Sequence, residues 1–207
     1  MVSEKQISRA LRFAKAALAR RFGEEESQGI LAAMRSNFAI LAPCVPELKA
    51  PTSQMTLRIA VDSLAFCHGL PADAPQAERL DLVQSFVNIW MDGQFDRWIA
   101  RKVYANRTLH FLFRRWWFWS ANRVDDADGW RFQLTPPEKG LFYGVDVTRC
   151  GIVDYLVKQG AAELAPILCR GDFHITKYLP RGIEFERTRV IAEGSERCDF
   201  RYYFAGR

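Results

Sequence analysis

The sequence predicts an α+β protein, with a helical N-terminal half packed on a C-terminal β-β-α-α-β-β module whose sheet is mainly antiparallel. Three observations predict it. Apolar residues recur at helical spacing through the first 123 residues. After the polar stretch Asp125-Asp-Ala-Asp-Gly129 the period shifts to alternation, and beyond it two helical segments separate two pairs of strands. That stretch is the best candidate boundary, giving a helical region over 1–124 and an α+β module over 125–207 within one compact unit.

The elements follow in order. Ile7, Leu11, Ala14 and Leu18 predict a helix over 3–22, with Arg20 and Arg21 in its last turn and Gly23 as its stop. Glu24–Glu26 opens a second helix through Ile30, Met34, Phe38 and Leu41, ended by Pro43 and Pro46. A third fits 52–69, with Thr52 as candidate cap and Gly69 and Pro71 as terminators. Its adjacent Cys67 and His68 diverge by about 100° on a helix and read as packing, not as a ligand pair. From 76 to 123 runs the longest helical pattern, kinked at Asp92-Gly93. Leu80, Val83, Val87, Trp90, Trp98, Ile99 and Val103 form its stripe, and Arg114-Arg-Trp-Trp-Phe-Trp119 closes it. Bases interleaved with aromatics can stack on single-stranded nucleic acid, but four consecutive bulky residues suit burial better, with the arginine stems snorkelling.

In the second half, Trp130–Leu134 and Leu141–Thr148 read as strands. Cys150–Gln159 reads as a short helix stopped by Gly160, and Glu163–Leu179 as a longer one with Pro166 in its first turn. Alternation on both sides of Gly194 predicts two strands, 183–192 and 198–204, joined by a tight connection.

The chain of 207 residues is 49% apolar, enough for a substantial core, and no apolar run reaches the roughly 20 residues of a membrane span. No apolar block follows Met1-Val-Ser-Glu-Lys-Gln, so no secretory signal is expected. Five cysteines, without a CxxC pair, argue for a reducing cytoplasm and against a disulfide scaffold. The net charge of +5 with 22 Arg against 7 Lys suits recognition of carboxylates or phosphates and does not demand nucleic acid.

Cys150 lies where a strand hands over to a helix. There the macrodipole and the adjacent Arg149 would lower its pKa, unless it is simply a buried small hydrophobe. Cys169, Asp172 and Thr176 share one helix face, and His174 points away from Cys169. Asp172 is therefore either exposed or paired with an arginine or a cationic ligand. On the last strand, period two sends Asp199 and Arg201 to one face and Cys198, Phe200 and Tyr202 to the other, the core face.

Gly144-Val-Asp-Val-Thr-Arg-Cys150, Leu164-Ala-Pro-Ile-Leu-Cys-Arg-Gly-Asp172, and Glu186-Arg-Thr with Glu193-Gly-Ser-Glu-Arg-Cys-Asp-Phe-Arg-Tyr202 resemble the L-2-amino-thiazoline-4-carboxylic acid hydrolase family over roughly the C-terminal 80 residues. The resemblance implies hydrolytic opening of a cyclic amidine-like ring to a carbamoylcysteine on the way to cysteine. On that reading the catalytic candidates are Cys150, Cys169, Cys198 and Asp172. Either a thiolate adds to the ring carbon or a carboxylate activates water. Asp172 or Glu193 would hold the amidine cation, Arg187 or Arg201 the substrate carboxylate, and Asp199 joins the substrate-binding candidates. The expected partner is a small molecule bearing a carboxylate. No cofactor, metal, nucleic acid or membrane is expected, and a homo-oligomer is left open. The rival readings are convergence of the three cysteines, with Asp172 or a histidine, on zinc; a small-molecule sensor or carrier without turnover; and a nucleic-acid binder built on the Trp116 region.

Overall fold

A computed structural model describes every residue except Met1, Arg20, Arg97 and Arg207. Helices α1 (Glu4–Leu18), α2 (Glu24–Leu41), α3 (Pro51–Gly69), α4 (Gln76–Asp92), α5 (Trp98–Ala105) and α6 (Arg107–Asn122) fill the first half. Strands β1 (Arg131–Leu134) and β2 (Leu141–Arg149), helices α7 (Gly151–Lys158) and α8 (Ala165–His174), and strands β3 (Ile183–Glu186) and β4 (Cys198–Phe204) follow. The four strands lie in the order β1-β2-β4-β3, every neighbour antiparallel. The α+β class and the β-β-α-α-β-β order are those the periodicity predicts.

Several boundaries differ from expectation, each for a local reason. Helix α1 stops at Leu18, and Gly23 instead caps the start of α2; the predicted basic residue Arg20 lies outside the described residues. Thr52 does not cap α3. Pro51 is already helical after Ala50, and the Thr52 hydroxyl lies 3.4 Å from that of Ser120. The pattern over 76–123 is three helices rather than one kinked helix. Gly93 ends α4, and the Asn106 side chain accepts from the Leu109 N–H to start α6 afresh. The break takes Trp98 and Ile99 out of the stripe, leaving them exposed on α5. In the aromatic run only Phe118 is fully buried. Trp116 and Trp119 stand half in solvent, because successive helical positions step by about 100° and one face cannot hide all four.

The expected hairpin around Gly194 is also longer than predicted. Strand β3 ends at Glu186, and β4 begins at Cys198. The intervening loop contains a 3-10 turn, Ile191–Glu193, closed by Gly194 at φ +89. The Asp199 carboxylate organises this loop by accepting from the Thr188 N–H at 2.8 Å, the Thr188 hydroxyl at 2.6 Å and the Arg189 N–H at 2.5 Å. The Thr188 and Arg189 N–H groups are thus spent on a carboxylate, while the Arg189 carbonyl accepts from the Asp199 N–H at 3.3 Å.

One core cluster runs through both halves. It holds Phe38, Phe66 and Phe86 from the helices together with Trp130, Val147 and Cys198 from the sheet region, and Leu156 and Leu164 from the helical insert. Helix α8 lies close against α4. A methyl group added at Gly171 would sit 2.9 Å from the Met91 Cε and 3.2 Å from the Val87 Cγ1, so those side chains would have to give way. A buried turn residue links the halves: Asp126 accepts from the Lys49 and Ala50 N–H groups just before α3.

Within the helical half, Asp62 is 3% exposed and accepts from Gln6 Nε2 and Trp90 Nε1, each at 2.8 Å. Burial pushes its carboxyl up to about 6, although both hydrogen bonds pull the other way. The folded chain thus holds this proton more tightly than the unfolded chain. Asp62's contribution to stability is full below pH 3.8 and is lost as the pH rises towards and through about 6. The loss amounts to about 3 kcal/mol. Urea denaturation of Asp62→Asn should show a flatter dependence on pH between 4 and 7 than the parent. An unchanged slope would show that the burial of this carboxyl has no such effect.

Candidate active site

The pleat of β4 and β2 decides which side chains face inward. Val145 and Val147 on β2, with Cys198 and Phe200 on β4, point to one face, over which α6 and α8 lie. Between them is a cavity of about 220 Å³, below the usual range for drug-sized ligands and suited to a smaller molecule. The walls are largely apolar, with Trp90, Trp117 and Trp130 among them. The ionisable groups on its lining are Cys150, Cys169, Cys198, Asp172, Arg114, Arg187 and Tyr104. A larger cleft of about 360 Å³, between the start of α1, residues 45–49 and α3, contains none of the candidate residues.

The cavity brings together five of the predicted site residues: the three cysteines, Asp172 and Arg187. Asp172 is paired, the second of the two states its sequence position allows. Arg187 Nη1 donates to its Oδ2 at 2.6 Å, while Arg187 Nη2 donates to the Cys169 carbonyl at 3.1 Å. The Arg187 side chain is 3% exposed and lies over the rings of Phe173 and Phe200. Burial raises the Asp172 carboxyl above the ordinary range, although Arg187 and Arg114 pull it down.

The structure does not bring Glu193, Asp199 and Arg201 to this cavity. Glu193 is exposed on its 3-10 turn. Asp199 is engaged with the loop, and its three hydrogen bonds, against a cost of burial, hold its carboxyl below the usual range. Arg201 lies on the opposite face of β4, where its Nη2 meets Asp146 Oδ1 at 2.8 Å and Arg197 pairs with the same carboxylate at 3.2 Å. His174 is turned away, 3.0 Å from Asp92.

Of the two readings left open for Cys150, the thiol environments favour the buried one. Cys150 does stand at the N-cap position of α7, but its pKa is not lowered: burial pushes it up to about 12 and outweighs the N–H groups of Val153 and Ile152. Burial also raises Cys169, with the Asp172 charge adding to it, and raises Cys198, whose Sγ accepts from the Ile191 N–H at 3.2 Å. Partial charges at a short helix end are weak beside the loss of water around an anion. The five cysteines are all free thiols. Among the described residues no group of three or more His, Cys, Asp or Glu is arranged to hold a metal ion, and no helix is long and apolar enough to cross a membrane.

Arg114 was missed at the level of sequence because it sits in the aromatic run and reads there as a snorkelling stem. Its neighbour Arg115 is exposed, whereas Arg114 turns inward over the Phe118 ring, 4.8 Å from the centroid. Beneath it His110 Nε2 lies 2.8 Å from the Tyr143 hydroxyl, and the Tyr143 and Tyr202 rings stack at 4.3 Å. Burial brings His110 down to about 4, so it is neutral at physiological pH. These residues back a small adjoining cavity that shares Tyr104, Arg114 and Asp172 with the larger one.

Comparison with known proteins gives one match. The family model for L-2-amino-thiazoline-4-carboxylic acid hydrolase matches residues 73–202. The match reaches well upstream of the 80 residues that carry the resemblance, into α4, α5 and α6, and takes in all three cavity thiols, Asp172 and both cavity arginines. Comparisons with curated proteins and with solved structures gave no match. With the family model covering more than half of its length, this chain belongs to the L-2-amino-thiazoline-4-carboxylic acid hydrolase family.

Proposed function

We propose that this chain hydrolyses a small cyclic amidine-like ring of the thiazoline carboxylate type to a carbamoyl amino acid, in the cavity between the sheet, α6 and α8. The observation that supports this reading is a single carboxylate, Asp172, sharing a desolvated cavity with three thiols and two guanidinium groups. The ring carbon between nitrogen and sulfur is electrophilic. None of the thiols stands as a thiolate at neutral pH, so a thiol that adds to that carbon must lose its proton as it does so. Asp172 lies one helical turn from Cys169 and, with its raised pKa, is a suitable base.

In this scheme the Cys169 sulfur adds to the ring carbon while Asp172 takes its proton. The ring C–N bond breaks and the departing nitrogen receives that proton. Water then displaces the sulfur, giving the carbamoyl product and the free thiol. The raised thiols favour a second reading, in which Asp172 activates water directly and no sulfur adds. Both routes need Asp172; only the first needs a thiol.

The test is turnover of 2-amino-thiazoline-4-carboxylate, followed by mass spectrometry, with Cys150→Ala and Cys169→Ala made separately. Cys169→Ala should reduce kcat by about 10³ or more, as expected when an activated nucleophile is removed. Wild-type turnover in both variants would overturn the thiol route and leave water activation. Saturable binding by the parent chain without product would overturn the hydrolase reading in favour of a binding module.

A further inference from the structure

The charges on the cavity lining do not cancel. Arg114 and Arg187 carry two positive charges and Asp172 one negative; the three thiols are neutral, and so is His110 behind them. Arginine stays protonated at any working pH. One unit of positive charge is therefore left in a site with little water, an arrangement that is costly unless an anion completes it.

The two arginines are not equivalent. Arg187 spends Nη1 on Asp172 and Nη2 on the Cys169 carbonyl. Arg114 forms no ion pair with an acidic side chain among the described residues, so although the Nε of each arginine is buried without a hydrogen-bond partner, only Arg187 has its charge paired. It borders both the main cavity and the small adjoining one. A planar guanidinium with unspent donors, lying over the Phe118 ring, matches a carboxylate through two parallel hydrogen bonds.

We infer that Arg114 is the anion-binding residue of this site, taking the carboxylate of the ring substrate, and that Arg187 positions Asp172. This rests on the hydrolase reading for the identity of the anion. Placing the carboxylate on α6 directs the ring towards Cys169 and Asp172 on α8, with the sheet face behind it.

The test compares kcat/KM for 2-amino-thiazoline-4-carboxylate with that for the same ring lacking the carboxylate, in the parent chain and in Arg114→Gln and Arg114→Lys. The parent should prefer the carboxylated ring. Arg114→Gln should lower that preference about 10–100-fold, the worth of hydrogen bonds to a charged group, and Arg114→Lys should lower it by less. Lysine keeps the charge, so it also covers the case in which glutamine disturbs the fold. An undiminished preference in both variants would overturn the inference. Calorimetric titration of the carboxylated ring separates this from failure of the hydrolase reading. Without turnover, tight binding by the parent that is weakened in Arg114→Gln still supports Arg114. Equal binding by both, or none by the parent, overturns it.

Discussion

Asp172→Asn is expected to lower kcat/KM by about 10²–10⁴, the range for loss of a positioned general base. Asparagine keeps the size and one acceptor oxygen but cannot take a proton. The effect should appear whether sulfur or water attacks, which makes it a more robust expectation than the loss of any single thiol. It also carries a pH signature. Asp172 acts as a base only when ionised, and burial sets its pKa above the usual carboxylate range, so activity of the parent should rise with pH along an acid limb displaced upward. Residual activity of Asp172→Asn should lack that limb. A variant with the parental rate and profile would remove Asp172 from the chemistry, provided circular dichroism shows the same fold.

Arg187→Met should be the most destabilising single change in the site. It leaves the Asp172 charge in a desolvated cavity without its 2.6 Å partner and removes the anchor to the Cys169 carbonyl. Breaking a fully buried pair costs about 3–5 kcal/mol. Because the Asp172 side chain keeps 30% of its surface towards the cavity, about 2–4 kcal/mol is the better expectation. The double variant Arg187→Met, Asp172→Leu should be more stable than Arg187→Met alone, since it removes the stranded charge along with the pair. Chemical denaturation of the two single variants and the double one closes the cycle. A double variant no more stable than Arg187→Met would mean that packing of the arginine stem on Phe173 and Phe200 is the larger part.

The fold class was legible because period and turn chemistry are local. Gly160 ends α7 with a positive φ, and Pro166 sits in the first turn of α8, where sequence rules put them. The separation of Cys198 from Asp199 followed from the pleat alone, and the register across β2 and β4 keeps it. What escaped was long-range. The break before α6 turns on a cap at Asn106, which the apolar stripe conceals, whereas the break after α4 falls at Gly93, read from the sequence only as a kink. The loop after β3 is shaped by a carboxylate ten or more residues away in the chain. In the site, the pairing of Asp172 with an arginine followed from the cost of burying its charge, but which arginine held it depended on tertiary contact. The reading of Cys150 set the helix end and Arg149 against burial as a small hydrophobe and could not decide between them, because the extent of desolvation depends on tertiary packing. Arg114 was hidden for the opposite reason: a run of aromatics reads as one environment, while a helix splits it between solvent and cavity.

That split has an optical consequence. The chain has six tryptophans. Trp90, Trp117 and Trp130 stand on the cavity wall, while Trp98, Trp116 and Trp119 face water. An occupant of the cavity changes the surroundings of the first three indoles and leaves the other three as they were. The intrinsic fluorescence of the protein therefore contains a component that responds to occupancy and a constant one against which to read it. Aqueous quenchers such as iodide reach the second set and suppress it, so a bound ligand can be followed without a label and before any bond is broken.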